Sequence, residues 1–172
     1  MMIFRLRKHK DVLGYMKINP KNQVEFSKDL MWWESSSIEY EDKDQWTGFK
    51  DKNNTLLFEH DIIYYRNVDN TKQLGVILYD QDLDGFYLFD IDDDGINFGK
   101  KHMLDSKCPL FYKTELSFYS YLFINKALME DQKHQMTLYF VYQNSNFLQQ
   151  AYTLPLNTQF SFVNVYKKIL GL

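Results

Sequence analysis

Short segments in which apolar and polar residues alternate follow one another closely through the first half of the chain. In residues 3–8, Phe4 and Leu6 alternate with two arginines, and residues 24–27 repeat the pattern. Alternation with a period of two is typical of a β-strand that buries one face and exposes the other. We therefore expect half-buried strands here, with the arginines on the solvent face.

Further strands are predicted along the chain. Residues 38–41 read as a short edge strand flanked by charge, and residues 62–66 as a strand. Residues 74–79 read as a strand, and its continuous apolar run from Val76 to Tyr79 predicts burial on both faces. The dipeptide Asp84-Gly85 favours a hairpin turn, and residues 86–89 form the predicted return strand.

Strands at this spacing predict a small open barrel of the SH3-like kind. Aromatic residues make up 17% of the chain, and they suit broad, packed strand faces. The predicted fold class is mainly β with α+β character. An SH3-like or open β-barrel core over residues 1–106 is followed by a two-helix, two-strand part over residues 107–172. No linker rich in proline, glycine or serine separates the two, so we expect them to pack together.

The C-terminal part is predicted from helical spacing and from one hairpin. Thr114 can cap a first helix that ends near Glu130 and carries the apolar residues Leu116, Tyr119, Leu122, Phe123 and Ala127. Residues 136–143 and 147–154 read as paired strands, and residues 162–170 as a closing helix.

Composition limits the function classes. The net charge of −3 is too small to indicate a nucleic-acid or membrane partner by itself. Cys108 is the single cysteine, so no internal disulfide can form, which fits a reducing cytoplasm. No apolar window approaches the roughly 20 residues that span a bilayer. We therefore expect a cytoplasmic protein without membrane contact.

The segment from Gln45 to Ile63 reads QWTGFKDKNNTLLFEHDII and carries the most specific pattern in the chain. It resembles the signature of the phage and prophage family named after the YopX protein, and the resemblance extends more weakly over residues 4–91. The signature residues, with the apolar Trp46 that leads into them, are Trp46, Thr47, Gly48, Lys50, Asp51, Lys52, Asn53, Phe58, Glu59, Asp61 and Ile62. Asn54 and His60 stand where the family usually has glycine. The resemblance implies a compact, mostly β core and carries no general biochemical activity.

These signature residues are interpreted as structural. Thr47-Gly48 predicts a tight bend, and residues 50–53 an exposed turn. Trp46, Phe58 and Ile62 are expected to fill the barrel core. Glu59 or Asp61 can accept backbone N–H bonds across the following turn, where His60 is expected to face solvent.

Seven aspartates lie between residues 80 and 94 without a lysine or arginine among them: Asp80, Asp82, Asp84, Asp90, Asp92, Asp93 and Asp94. Two D-x-D-x-D-G motifs within this stretch resemble the start of a calcium loop. The twelfth positions are Ile91 and Lys101, which cannot supply the closing carboxylate, so no calcium site is expected. The stretch is read either as a solvated rim or as an acidic surface that mimics DNA.

Other chemistry finds little support in the sequence. Arg5, Arg7, Lys8 and Lys10 form a small basic group that permits a weak nucleic-acid-binding module as an alternative. The four histidines are scattered, and Cys108 lacks a catalytic signature around it. We expect no catalytic residues, no cofactor and no bound metal.

The function expected from the sequence is therefore that of a non-enzymatic phage or prophage accessory protein that binds a host or phage protein. Phe118, Tyr121, Phe147 and Phe160 are candidate docking anchors. An acidic inhibitor that competes with DNA for a host defence or repair enzyme is the main alternative. Homo-oligomerisation is left open.

Overall fold

The structure, a computed structural model, describes residues 1–66, 69–80, 83–105 and 116–130. These residues are mostly β, which confirms the predicted fold class at that level. The strands are β1 (Met2–Lys8), β2 (Asp11–Ile18), β3 (Val24–Ser27), β4 (Asp42–Lys50), β5 (Leu56–Phe58), β6 (Asp61–Arg66), β7 (Lys72–Asp80), β8 (Gly85–Asp92), β9 (Gly95–Met103) and β10 (Ser117–Tyr121). A short 3-10 helix follows at Leu122–Ile124, and residues 126–130 are helical.

The described strands form two antiparallel sheets. The first has the order β3-β2-β1-β4-β5 and the second the order β10-β6-β7-β8-β9. Neither sheet closes on itself among the described strands. The last strand of the first sheet is joined to the second sheet by the short turn between Phe58 and Asp61, so the signature segment forms the passage from one sheet to the other.

Strand β7 is central in the second sheet and is buried on both faces. Ile77 packs with Ile63 and Leu88 on one side, while its neighbours Val76 and Leu78 pack on the other. Successive side chains of a strand point to opposite faces, so three consecutive buried residues require cover on both. The sequence prediction for residues 74–79 is confirmed.

Gly75 occupies a position in β7 that has no room for a side chain. It pairs with Ile63 on β6 and with Asp90 on β8. A Cβ atom placed there would lie 2.8 Å from Leu88 Cδ1 and 3.0 Å from the Phe89 carbonyl oxygen. Close packing across the second sheet therefore depends on glycine at this position.

Two predicted elements are corrected. Residues 117–121 do not begin a helix but form strand β10, which pairs with the edge of β6. The backbone groups of β6 need partners on that side, and Leu116 and Leu122 reach the core from the ends of the added strand. Residues 38–41 are not a strand either, and the edge of β3 carries an isolated bridge from Phe26 to Glu34.

The chain divides into two compact units, Met1–Met129 and Glu130–Leu172. The first unit includes β10 and so extends beyond residue 106, where the sequence had suggested a boundary. The hairpin and closing helix predicted over residues 136–170 lie outside the described residues, as do Thr114 and Cys108.

Candidate functional site

A buried ion network joins strand β1 to the signature segment. Arg5 is 2% exposed, and Asp44 on the neighbouring strand β4 is fully buried. Arg5 donates to Asp44 Oδ2 through Nε at 3.0 Å and Nη2 at 2.9 Å, and donates to Asp61 through Nη1. Nη2 also donates to the Glu59 carbonyl oxygen at 2.9 Å. The expectation that Arg5 lies on a solvent face is wrong, because two carboxylates and a carbonyl offset the cost of burying its charge.

His60 and Arg7 complete this network. His60 Nδ1 lies 2.8 Å from Asp44 Oδ1, and Arg7 Nε donates to the same oxygen at 3.1 Å. His60 was expected to face solvent, but it is half-buried. Its backbone adopts φ +65° in the turn before β6, a left-handed conformation that favours glycine. The turn therefore aims the imidazole ring at Asp44 rather than at water.

Three aromatic rings surround the Arg5 guanidinium. Its central carbon lies 5.1 Å from the Phe58 ring centroid, 4.6 Å from that of Tyr121 and 5.1 Å from that of Phe123. Cation–π contacts strengthen when the charge is removed from water, as it is here. Tyr121 was predicted as a docking anchor for a partner. In the structure Tyr121 is half-buried and lies over Arg5, and its role as an anchor stays a prediction.

The two network carboxylates differ in their pKa. Burial raises the pKa of Asp61 to about 6, since desolvation outweighs the Arg5 charge and the Phe58 N–H bond. Burial also acts to raise the pKa of Asp44, but the His60 hydrogen bond and the nearby arginine charges hold it below its ordinary value. Asp61 therefore binds a proton in mildly acidic solution, while Asp44 stays ionised.

The predicted turn chemistry of the signature is confirmed at Asp61. Its Oδ2 accepts the Phe58 backbone N–H at 2.8 Å, which closes the turn that leads into β6. Phe58 and Ile62 are buried as expected. Glu59 is half-buried and contributes through its backbone, since its N–H donates to the Gln45 carbonyl oxygen at 2.9 Å.

The first half of the signature forms an irregular part of strand β4. Trp46 is half-buried, and its indole Nε1 donates to the Phe49 carbonyl oxygen at 2.9 Å. Thr47 Oγ1 donates to the Leu57 carbonyl oxygen at 2.8 Å. Gly48 is exposed with φ +89°, and the register with β5 shifts around it. The predicted bend is therefore a bulge within a strand.

Asp51 is the one buried residue of the turn that follows β4, while Lys50, Lys52 and Asn53 are exposed. Its carboxylate accepts the backbone N–H groups of Asn53 at 2.8 Å, Thr55 at 2.9 Å and Phe118 at 3.3 Å. Burial acts to raise the pKa of Asp51, but these N–H bonds hold it below its ordinary value. Asp51 thus ties the signature turn to strand β10, which sequence reasoning did not foresee.

The predicted acidic stretch does not form a single exposed surface. Asp84, Asp92, Asp93 and Asp94 are exposed, and Asp82 lies outside the described residues. Asp80 lies 2.7 Å from the Lys101 ammonium nitrogen. The lysine comes from β9, which is separated from β7 by β8 in the sheet, and the sequence alone does not predict this contact.

Asp90 is buried in a small polar cluster with Tyr65 and His102. The Tyr65 hydroxyl donates to Asp90 Oδ1, and His102 Nε2 lies 3.3 Å from the same oxygen. Burial, together with the hydrogen bond to Asp90, raises the pKa of Tyr65 far above its usual range. His102 Nε2 is buried and makes no hydrogen bond among the described residues. The cluster crosses the second sheet from β6 to β9.

A groove of about 430 Å³ opens beside edge strand β3. Its apolar lining comes from Phe26, Trp32 and Ile38, and its charged lining from Lys28, Asp29 and Glu34. Phe26 and Ile38 also pack against the small core cluster of the first sheet. The floor of the groove is therefore continuous with the core.

Trp32 lines this groove, and Trp32 and its chain neighbour Met31 are each 75% exposed. The turn that carries them is held by Asp29, whose Oδ1 accepts the N–H groups of Met31 at 2.9 Å and Trp32 at 3.2 Å. Ser27 Oγ accepts the Leu30 N–H at 3.0 Å, and Leu30 adopts φ +68°. The backbone of the loop is thus fixed by hydrogen bonds to the Ser27 and Asp29 side chains. We call Phe26, Met31, Trp32 and Ile38 the Trp32 surface.

Sequence reasoning missed the Trp32 surface. The run Met31-Trp32-Trp33 gave no prediction of an exposed surface, because an apolar run ordinarily predicts burial. The signal was Asp29 before the run and the serine-rich segment after it, which are typical of a turn and a loop. The predicted anchor Phe118 is half-buried, and Phe147 and Phe160 lie outside the described residues.

Comparisons with known proteins add no identification. No protein-family model matches the chain, no curated protein is similar to it, and no solved structure resembles it. Among the described residues, no three histidine, cysteine or acidic side chains are placed to hold a metal ion. No helix in that part of the chain is long and apolar enough to cross a membrane.

Proposed function

We propose that this protein is a non-enzymatic accessory protein of the YopX type, of phage or prophage origin, that acts in the bacterial cytoplasm by binding another polypeptide through the Trp32 surface. The observation that carries the proposal is the exposure of Trp32, which lines a groove with apolar and charged residues, together with the exposure of the adjacent Met31. The resemblance of residues 45–63 to the family signature supports the origin. We also propose that the strands form the SH3-like or open β-barrel core that the sequence predicts.

A tryptophan exposed at the mouth of a groove favours protein binding on energetic grounds. Tryptophan is among the residues that most often dominate the free energy of association when a partner covers them. Leaving Met31 and Trp32 in water has a cost that burial against a partner removes, at about 25 cal/mol per Å² of apolar area. The surrounding Lys28 and Glu34 supply a polar rim of the kind found at protein interfaces.

The hydrogen bonds that fix the loop of Met31 and Trp32 also favour binding. Asp29 and Ser27 fix the backbone around Met31 and Trp32 before any partner arrives. A surface that is ordered in advance loses less conformational entropy on binding, so more of the contact energy appears as affinity. A mobile loop with the same residues would bind more weakly.

Fewer observations support the alternative function, an acidic surface that mimics DNA. Asp92, Asp93 and Asp94 are exposed together at the turn between β8 and β9, and this supports a small negative surface. Asp90 faces Tyr65 in the interior, and Asp80 is paired with Lys101. A DNA mimic needs a longer row of charges to match the spacing of phosphates. We therefore rank this function second.

Both arginines of the basic group that could bind nucleic acid are engaged with carboxylates. Arg5 is buried, and Arg7 Nη1 donates to Asp42 at 3.0 Å in addition to its bond with Asp44. Lys8 lies 3.6 Å from Glu41. Basic side chains that are engaged with carboxylates are not available for the phosphate contacts that drive such binding.

Site-specific photo-crosslinking tests the proposal. A photoreactive phenylalanine analogue is introduced at position 32, at position 93 in the acidic turn, or at position 119, where the exposed Tyr119 of β10 serves as the control. Irradiation in the bacterial host is expected to give a discrete protein adduct from position 32 only. Adducts from position 93 alone would favour the acidic surface, and adducts from position 119 alone would refute the Trp32 surface.

A further inference from the structure

We infer that the partner of the Trp32 surface is a second copy of this chain, with the Trp32 side chain of each copy entering the groove of the other. The inference rests on the proposed function of that surface as a protein-binding site. It adds the identity of the occupant, which follows from the shape and the charge of the surface.

Shape is the first argument. Trp32 lines the groove and at the same time projects from its rim, with three quarters of its side chain exposed. A two-fold interface uses the same patch on both subunits, so the patch must offer both the projecting group and the cavity that receives it. A groove of about 430 Å³ is within the size range of sites that enclose a bound group. The Trp32 surface meets this requirement by itself.

Charge is the second argument. The groove lining carries one cation, Lys28, and two carboxylates, Asp29 and Glu34. The Asp29 carboxylate already accepts the Met31 and Trp32 N–H groups. Lys28 forms no ion pair with the described residues, and the Glu34 carboxylate accepts a hydrogen bond from the Ser36 hydroxyl, at 3.0 Å. A partner of one charge sign would meet repulsion either from Lys28 or from the carboxylates. A second copy, related by a two-fold axis, brings Lys28 towards Glu34 twice.

The edge of the sheet supplies the third argument. Strand β3 is an edge strand, and an open edge invites another chain to add a strand. Here the Phe26 N–H and carbonyl groups are already bonded to Glu34, at 2.7 and 2.8 Å. Continuous sheet extension is therefore blocked at Phe26. Association at this edge can use exposed apolar side chains instead, and these include Val24, Met31 and Trp32.

Sedimentation velocity over a concentration series, from micromolar to submillimolar, tests the inference. The wild-type chain is expected to shift from monomer to dimer, and Trp32→Ala is expected to raise the dissociation constant by more than about tenfold, as for a central interface tryptophan. Tyr119→Ala removes an exposed aromatic side chain from the other sheet and should leave the dimer unchanged. Far-ultraviolet circular dichroism checks that each variant is folded.

A charge exchange separates pairing from simple loss of contact. Lys28→Glu and Glu34→Lys should each weaken the dimer, because each places like charges across the two-fold axis. The double variant Lys28→Glu/Glu34→Lys should recover most of the wild-type dissociation constant.

Three results would overturn the inference: a monomer at every concentration, a dimer that survives Trp32→Ala, or a double variant as weak as the singles. A monomeric chain that still crosslinks a different protein from position 32 would overturn the second-copy partner and leave the proposed function standing. Absence of any adduct at position 32, self-adducts included, would instead refute the proposed function.

Discussion

Arg5 on β1 lies directly opposite Asp44 on β4, and the two side chains form a pair of hydrogen bonds in the protein interior. The same guanidinium reaches Asp61 at the start of β6. One side chain of the first sheet is thereby bonded to both sheets. The stability of this arrangement depends on every charge keeping its partner, and the first two predictions follow from that dependence.

Asp44→Asn is expected to destabilise the protein by about 3–5 kcal/mol, because it removes the buried charged acceptor of two Arg5 hydrogen bonds and one Arg7 hydrogen bond. Asp42→Asn is the matched control, since Asp42 is exposed and pairs with Arg7 at the surface. It should cost no more than about 1 kcal/mol. Urea unfolding monitored by tryptophan fluorescence gives both values. Equal losses of free energy of unfolding in the two variants would show that the buried pair stabilises the protein no more than the exposed pair does.

Asp61 is expected to make stability depend on pH between about 4 and 6.5. Its pKa is about 6 in the folded protein and about 3.9 in an unfolded chain, so the folded state holds the proton more tightly. The stabilisation is complete below the unfolded value and is lost as pH rises through the folded value, by about 3 kcal/mol in total. Asp44 acts at lower pH, because its folded pKa is depressed.

Asp61→Asn removes this titration, so wild type should lose free energy of unfolding relative to the variant as pH rises from about 4.5 to about 7.5. Urea unfolding at several pH values measures the difference. A difference between wild type and variant that stays constant across the range would show that Arg5 keeps Asp61 ionised throughout.

Gly75→Ala is expected to destabilise the protein by about 1–3 kcal/mol, because the added methyl group would overlap Leu88 and the Phe89 carbonyl oxygen. Gly85→Ala is the control, since a Cβ at that position meets its nearest neighbour at 3.6 Å, an ordinary contact. Thermal unfolding compares the two variants. If both melt together with wild type, the second sheet is more loosely packed at β7 than the structure indicates.

Phe58→Ala and Trp46→Ala should differ, although both residues belong to the signature. Phe58 is buried against Arg5 and Tyr15, so its loss should cost about 3–5 kcal/mol. Trp46 is half-buried and holds the β4 bulge with one hydrogen bond, so its loss should cost on the order of 1–2 kcal/mol. Denaturant titration of both variants decides the point. A larger loss for Trp46 would restore the interpretation that it fills the core.

Much of the local structure was determined by the sequence. Alternation predicted β1 and β3, and continuous apolar character predicted that β7 is buried on both faces. Asp61 was predicted to accept a backbone N–H in its turn, and it does. These features depend on residues within a few positions of one another, so side-chain period and turn chemistry are sufficient to specify them.

Tertiary structure decided the rest. Arg5 alternates with apolar residues and so reads as exposed, yet its partners Asp44 and Asp61 lie 39 and 56 residues away in the chain. Residues 117–121 have helical spacing but pair as a strand, because the edge of β6 lies beside them. Trp32 is a large apolar residue of the kind usually found in a core, yet it is exposed. It lies in a turn whose backbone N–H groups bond to the Asp29 carboxylate. Burial of a charge and exposure of an apolar side chain both depend on what covers them, and distant segments provide that cover only after the chain has folded.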